Sequence, residues 1–226
     1  NRLAVAGVGR ATVEMTVRGM VAHSSQPHLG DNAVYRAMNA SERIRKLPRR
    51  KDSFFGTEVI ELVEIKSKPS PGNGSVPDFC WVLWECRLLP GETQKSFLNR
   101  FHAALEGIDG AEKVMLKIGR TAITCYTGER LDYEDFLSAW VTLPEEPFRK
   151  LVEQALIQTG IKADPVVFRG CTNVNISAGT MGIPSLIYGP GNLDLAHKPN
   201  EHLDIEELLL SAKAYGRIIE LAGQYG

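Results

Sequence analysis

The stretch DFCWVLWECRLL, residues 78–89, reads as one long β-strand. Side chains alternate across a strand, so Cys80, Val82, Trp84, Cys86 and Leu88 share one face, and Trp81, Leu83, Glu85 and Arg87 the other. At the rise of a strand Cys80 and Cys86 stand ~20 Å apart and cannot bridge. The four cysteines (Cys80, Cys86, Cys125, Cys171) form no CxxC pair, so reduced thiols and a cytoplasmic location are expected.

Outward from this strand the pattern is regular. Residues 59–68 are rich in β-branched side chains and form a second strand, set off by Pro69, Pro71, Gly72 and Gly74. Residues 93–105 form an amphipathic helix through Phe97, Phe101, Ala104 and Leu105, and Val114, Leu116 and Ile118 mark another strand. Upstream, Val13, Met15 and Val17 alternate with polar residues. Asp31 or Asn32 caps a helix running to Leu47, with Val34, Met38, Ile44 and Leu47 as its apolar face and Pro48 as its stop. Strand, helix, strand, strand, helix, strand is the split βαβ, or ferredoxin-like, order.

Beyond residue 123 the pattern changes to an α/β alternation. Residues 126–147 show no clean period and read as a long connection. A helix over 148–159, a strand at 166–168 and a strand at 184–188 follow. The last helix has Asp204 as N-cap with Glu207 in capping-box position and Leu203 and Leu208 as a staple. Its buried stripe is expected to be Ile205, Leu208, Leu209, Ala212, Tyr215, Ile219 and Ala222. This segment has too few strands for a complete α/β layer, and the chain opens on Asn1. A longer parent with further residues upstream is therefore expected. No signal peptide is read from the sequence given.

The 226 residues are 43% apolar and 23% charged, with 26 Lys+Arg against 27 Asp+Glu, an ordinary globular balance. No basic field exists for nucleic acid or an anionic membrane. The uncharged run over 170–193 holds five glycines and two prolines, so it is no transmembrane helix.

Five histidines are candidates for chemistry. His102, beside Phe101 on a helix, reads as a boundary residue, and His28 and His202 as solvated loop residues. His197 follows a strand end and a Gly-Pro-Gly turn, where open α/β sheets place ligands. His23 lies just past a strand beside Ser24 and Ser25, but sequence neighbours rarely make a nucleophile–base pair. Arg87, on a strand face with Trp81 and Leu83, is either a snorkelling residue or an anion-binding one.

GMVAHSSQPHLGDNAV (19–34), SVPDFCWVLWECRLLPGET (75–93), GIPSLIYGPG (182–191) and AHKPNE (196–201) together resemble the zinc-dependent amidohydrolases and exopeptidases. That family includes acetylornithine deacetylase, succinyl-diaminopimelate desuccinylase, carboxypeptidase G and aminoacylase. YTGERLDYEDFLSAW (126–140) is similar to a connection in a branch of hydrolases linked to selenium metabolism. The resemblance implies an α/β protein in three parts. Residues 1–10 would end a catalytic-domain segment, 11–122 would be a ferredoxin-like α+β lid (dimerisation) domain, and 123–226 the C-terminal part of a metallo-exopeptidase catalytic domain.

Carried over residue by residue, His197 matches a ligand of a two-zinc site, with cobalt or manganese as alternatives, and Glu201 its support. His23 matches a lid histidine that reaches into the partner subunit of a homodimer and hydrogen-bonds the scissile carbonyl oxygen. Arg87 matches an arginine that pairs with the substrate carboxylate, and Asn173 a substrate-lining position. The implied substrates are small N-acyl amino acids or dipeptides, and the implied chemistry is a metal-activated water attacking an amide.

Two departures stand out. Gly74 occupies a position where many members have a substrate-contacting Asn, with Asn73 adjacent. The family's His-x-Asp pair, bridging Asp and Glu-Glu pair are not in this sequence. A catalytic zinc normally takes three protein ligands, so the chain alone is expected to be inert. The alternative reading is a non-catalytic dimerisation or scaffolding module; a third is a small-ligand sensor.

Overall fold

The computed structural model describes residues 2–224, so the end residues of the first and last expected segments lie outside the described residues. The chain opens with β1 (Arg2–Gly7) and passes at Val8 into β2 (Gly9–Arg18), where one compact unit gives way to another. Residues Gly9–Ser138 make up the second unit, and the described residues to Val8 join those from Ala139 on in the first. The boundary falls after Ser138, beyond the residue 122 expected from the sequence.

In the Gly9–Ser138 unit, β2 leads to α1 (Ala33–Arg45), whose N-cap Asn32 accepts from the amides of Val34 and Tyr35. A short hairpin, β3 (Lys51–Asp52) and β4 (Gly56–Thr57), precedes β5 (Val59–Lys68). Then come β6 (Phe79–Leu88), α2 (Gln94–Leu105) capped by Thr93, and β7 (Val114–Ile118). The strands lie in the order β7-β2-β6-β5, all antiparallel, with β2 paired to β6 from Gly9–Leu88 to Arg18–Phe79. This is the ferredoxin-like topology.

The alternation in β6 is realised along its length. Cys80, Val82, Trp84, Cys86 and Leu88 are buried with Val13, Met15 and Val17 under the two helices, and the opposite face stays half-exposed. Burial raises both the Cys80 and Cys86 thiols, which are free and unreactive. Phe97 and Phe101 meet edge to face, and Phe101 meets Trp84 the same way.

Helix α1 keeps most of its expected face: Ile44 is buried and Val34 and Leu47 pack against the core, but Met38 is 58% exposed and Ala33, Ala37 and Ala40 are buried instead. The helix is turned so that its alanines lie on the sheet, and small side chains let it sit close. The expected connection over 126–147 is also structured. Strands β8 (Arg120–Thr124) and β9 (Arg130–Glu134) form a hairpin ribbon turned at Gly128 (φ +86°), and β10 (Phe136–Leu137) returns to β2. The ribbon was not legible because its strands pair only with each other and are mostly exposed. No burial period marks them.

The other unit contains β11 (Trp140–Val141), α3 (Pro147–Gln158), β12 (Pro165–Phe168), α4 (Val174–Ser177), β13 (Ile187–Gly189) and α5 (Ile205–Ala222). β1 is central: β12 pairs with it in parallel, and β11 and β13 antiparallel. Asp204 caps α5 by accepting from Glu206 N, while the Glu207 carboxylate accepts from Gly191 N at 3.0 Å. The expected buried stripe of α5 is exposed, Ile205 and Ile219 at 73% and 71%. Ser211, Ala214 and Leu221 are buried instead. Tyr215 and Ser211 hydrogen-bond Tyr188 on β13, and Arg217 bonds Gln158 on α3. Ser211, Ala214 and Leu221 thus face this unit, and Ile205, Leu208, Leu209 and Ile219 face out. Among the described residues no helix is long and apolar enough to cross a membrane.

A buried ionic knot ties β5, α2 and the chain before them. The Glu58 side chain is fully buried, accepts from Arg50 N at 2.9 Å and pairs with Arg100, while Arg50 and Arg100 share Glu92. Burial alone would raise the Glu58 carboxyl, but Arg100 and the Arg50 amide outweigh it and lower its pKa.

Two outcomes follow. Ala37→Leu should lose ~1–3 kcal/mol by overpacking the α1–sheet contact, whereas Met38→Ala should stay within about 0.5 kcal/mol, both read by urea unfolding. Glu58 has a lowered folded pKa, so its stabilisation is present above the unfolded carboxyl value of about 4.3 and is lost as pH falls through the folded value. Glu58→Gln should cost ~2–3 kcal/mol near neutrality and flatten the acid limb of stability against pH.

Candidate functional site

His23 sits on the loop that leaves the Arg18 end of β2. This loop is fastened to the 72–76 turn by Ser24 N to Gly74 O at 2.7 Å, Val76 N to Ala22 O at 2.8 Å and a bridge between His23 and Ser75. Asn73 and Gly74 turn here with φ of 43° and 71°, a region Gly enters freely and Asn more readily than most residues. The two segments singled out in the sequence therefore meet.

The imidazole is exposed, and its Nδ1 accepts the Ser25 backbone N–H at 3.2 Å with the Ser25 Oγ at 2.7 Å. A backbone amide can only donate, so in the neutral ring the proton resides on Nε2, which points away as a donor. Ser25 thus reaches hydrogen-bonding distance of the ring, contrary to the expectation for sequence neighbours. Its role here is to hold the tautomer: no carboxylate among the described residues orients Nε2 as a base would need.

Arg87 lies on the open face of the sheet beside Arg10 across the β2–β6 pair. Its Nη1 is 2.7 Å from Glu85 Oε1, and the chain of charges continues through Arg10 to Asp135 at 2.9 Å. Burial would raise Glu85, but Arg87 and Arg10 prevail and lower it. Arg87 therefore already has a carboxylate partner within the chain. It also stands far from His23, because Arg10 and Arg18 mark opposite ends of β2. Eight residues at the rise of a strand separate those ends by ~27 Å. A dipeptide spans only ~7 Å.

Asn173 lies in the turn after β12 and begins α4. The turn is held by Asn175, a fully buried side chain that accepts Thr172 N and donates to Val8 O, each at 2.9 Å. Sequence reasoning passed over Asn175; the signal available was a second asparagine two residues after Asn173 in an apolar setting. His197 follows β13, is exposed, and holds a left-handed backbone (φ 61°) that is sparsely populated outside Gly and the Asn/Asp/His group. Its amide donates to Glu201 Oε2 at 3.2 Å. β12 and β13 run in opposite directions relative to β1, so the Asn173 turn and the His197 segment leave opposite ends of this small sheet. His28, His102 and His202 are exposed. Among the described residues no three His, Cys, Asp or Glu side chains gather to hold a metal.

Comparison with known proteins bears on both units. Residues 5–112 match the family model described as a peptidase dimerisation domain, M20_dimer. Escherichia coli (strain K12) YgeY is 30% identical over 216 residues, covering 93% of this chain and 52% of YgeY. The aminopeptidase PepT from Bacillus cereus superposes with a TM-score of 0.73 at 20% identity, over 98% of this chain and 54% of PepT. The M20 family metallo-carboxypeptidase Sso-CP2 from Sulfolobus solfataricus gives 0.63 at 14% identity, over 97% of this chain and 60% of Sso-CP2. The chain thus spans about half the length of these relatives. With a ferredoxin-like unit bearing the matched residues, the chain carries an M20 peptidase dimerisation domain, and its fold is shared with solved M20 peptidases.

Proposed function

We propose that the full-length protein is a homodimeric, metal-dependent hydrolase of amide bonds, peptide or N-acyl, in small carboxylate-bearing substrates such as N-acyl amino acids or dipeptides. What carries this reading is the His23 geometry. A ring locked by Ser25 with its Nε2–H directed outward is a ready donor for a developing oxyanion. The aminopeptidase and metallo-carboxypeptidase activities in the relatives' names support the amide bond as the reacting group.

The ~27 Å between the two ends of β2 makes one copy unable to offer His23 and Arg87 to one small substrate. Both act at one site only if they come from different protomers, with His23 reaching into the partner's site and Arg87 serving its own. Arg87 would exchange Glu85 for the substrate carboxylate, as a planar two-pronged donor. Asn173 would line the substrate from the turn that Asn175 holds.

On their own the described residues do not make up a metal site. His197 is proposed as one ligand of a zinc pair whose other ligands belong to the remainder of a full-length protein, with Glu201 holding its backbone. Metal of that kind would activate water. A cytoplasmic location fits the buried reduced thiols of Cys80 and Cys86.

The in-trans arrangement has a direct test in the full-length protein. His23→Ala should lower kcat ~10²–10³-fold with bound metal unchanged. Mixing the inactive His23→Ala and Arg87→Ala proteins and letting dimers exchange should restore about a quarter of the native activity, because each mixed dimer regains one intact site. No recovery on mixing would overturn the shared site. Independently, EDTA should abolish turnover, and His197→Ala should show a lower metal content by elemental analysis; an unchanged content would remove His197 from the ligand set.

A further inference from the structure

The β8–β9 ribbon is tied to the sheet at one residue of β2, Thr12. Gly119 N donates to Thr12 O at 2.9 Å, Asp135 N to Gly119 O at 2.8 Å, and Thr12 N to Asp135 O at 3.0 Å. Thr12 stands two residues along β2 from Arg10, the cross-strand neighbour of Arg87, so the ribbon springs from the Arg87 end of the sheet.

The faces of the ribbon follow from those ties. The Asp135 carboxylate accepts from Arg10 Nη1 at 2.9 Å and from Thr12 Oγ1 at 3.0 Å, and a Cβ added to Gly119 would run into the Thr12 hydroxyl. Both residues are thus directed to the helix-free side of the sheet, where Arg87 lies. Side chains alternate along a strand, so the cross-strand pairs Thr121–Tyr133 and Ile123–Leu131 continue that side outward. The opposite face of the ribbon satisfies itself, with Arg120 2.9 Å from Asp132 and 3.9 Å from Glu134. The face continuous with Arg87 is uncharged, and its Ile123, Leu131 and Tyr133 are 47%, 47% and 45% exposed. A two-stranded hairpin is marginally stable in water by itself, and this one keeps its apolar side uncovered.

A second uncovered apolar set brackets His23: Met20, Val21 and Leu29 are each more than half exposed. When His23 and Arg87 of different protomers serve one small substrate, the partner's His23 comes within ~7 Å of Arg87, the span of a dipeptide. Its loop is thereby carried to the end of the sheet from which the ribbon springs. Each apolar set then meets a cover of matching chemistry.

We infer that the ribbon is a docking arm for a second copy of this chain, in which Ile123, Leu131 and Tyr133 seat the His23 loop of the partner subunit through its Met20, Val21 and Leu29. The inference rests on the shared-site reading above and adds what holds the loop in place. Two five-residue strands, ~17 Å long and ~5 Å apart, offer less than the ~800 Å² per partner of a standard interface. The arm therefore supplements contacts made elsewhere on the dimerisation domain.

The test is a charge exchange in the full-length protein, read as the dimer dissociation constant by fluorescence-detected sedimentation. The four substituted positions are exposed, so urea midpoints should stay unchanged and serve as the check of fold. Ile123→Lys/Leu131→Lys and, separately, Met20→Glu/Leu29→Glu should each raise the constant at least about ten-fold. Mixing the two variants lets a lysine ribbon meet a glutamate loop, while the other ribbon and loop of the same dimer are native. The constant should then return to within about three-fold of the native value. A ribbon and a loop that meet other surfaces give a mixed dimer no tighter than its parents, which would overturn the docking. So would a native dimer whose constant the ribbon variant leaves unchanged, the ribbon then being covered by its own chain or by another protein. Both outcomes leave the hydrolase and the shared site standing, whereas a native protein monomeric at every concentration removes the homodimer reading and the docking with it.

Discussion

The uninterrupted antiparallel pairing of β2 with β6, from Gly9–Leu88 to Arg18–Phe79, is the constraint on which the rest of the dimerisation unit depends. A slip of one residue would turn Trp84 and the two cysteines to solvent and drive Arg87 and Glu85 under the helices. The register thus sorts apolar from charged side chains in one step. It also sets distances: whatever leaves the Arg18 end, including the His23 loop, is held the full length of the strand from Arg10 and Arg87. The separation on which the proposed two-protomer site rests is a property of this ladder and not of any loop.

The same ladder leaves one face of the sheet without helices, and that face is chemically graded. At the Arg87 end charges are fully matched, Asp135 to Arg10 to Glu85 to Arg87. At the other end Arg18 and Lys68 flank the Phe79 ring with no carboxylate partner among the described residues. Matched charges on a half-exposed face add little to stability, but they keep Arg87 extended and oriented. Unmatched ones leave a positive potential beside an aromatic wall. Under the helices the electrostatics differ again, since Glu58 is deprived of water and depends on Arg100 and Arg50 to stay ionised.

In the second unit burial is uneven. β1 is buried between partners drawn from far along the chain, yet α5 turns Ile205, Leu208, Leu209 and Ile219 outward. Such a face on an eighteen-residue helix is costly to leave in water.

Local order was legible where one periodicity governs a whole element. The strand at 59–68, the two faces of β6, the Asn32 cap and the Phe97–Phe101 stripe are all visible in the residues, because alternation and capping are short-range rules. Misreadings came where rotation or pairing is decided from a distance. On helix α1 Ile44, Val34 and Leu47 lie inward as read, but the sheet selected the alanines over Met38. Helix α5 has a strong apolar stripe, and Tyr188 and Gln158 drew its other side inward. The β8–β9 ribbon was missed because nothing buries it.

For the candidate site the division is similar. His23, Arg87 and His197 stood out in the sequence by their setting, and Asn173 only through the family resemblance. Tertiary structure alone decided that His23 lends its Nε2 proton outward, that Arg87 is already paired, and that Asn175 anchors the Asn173 turn. It also decided that Arg18 and Lys68 share a ring. Each of these outcomes depends on a partner brought close by folding, and the energy of a hydrogen bond or a charge pair is set by that proximity rather than by either residue's identity.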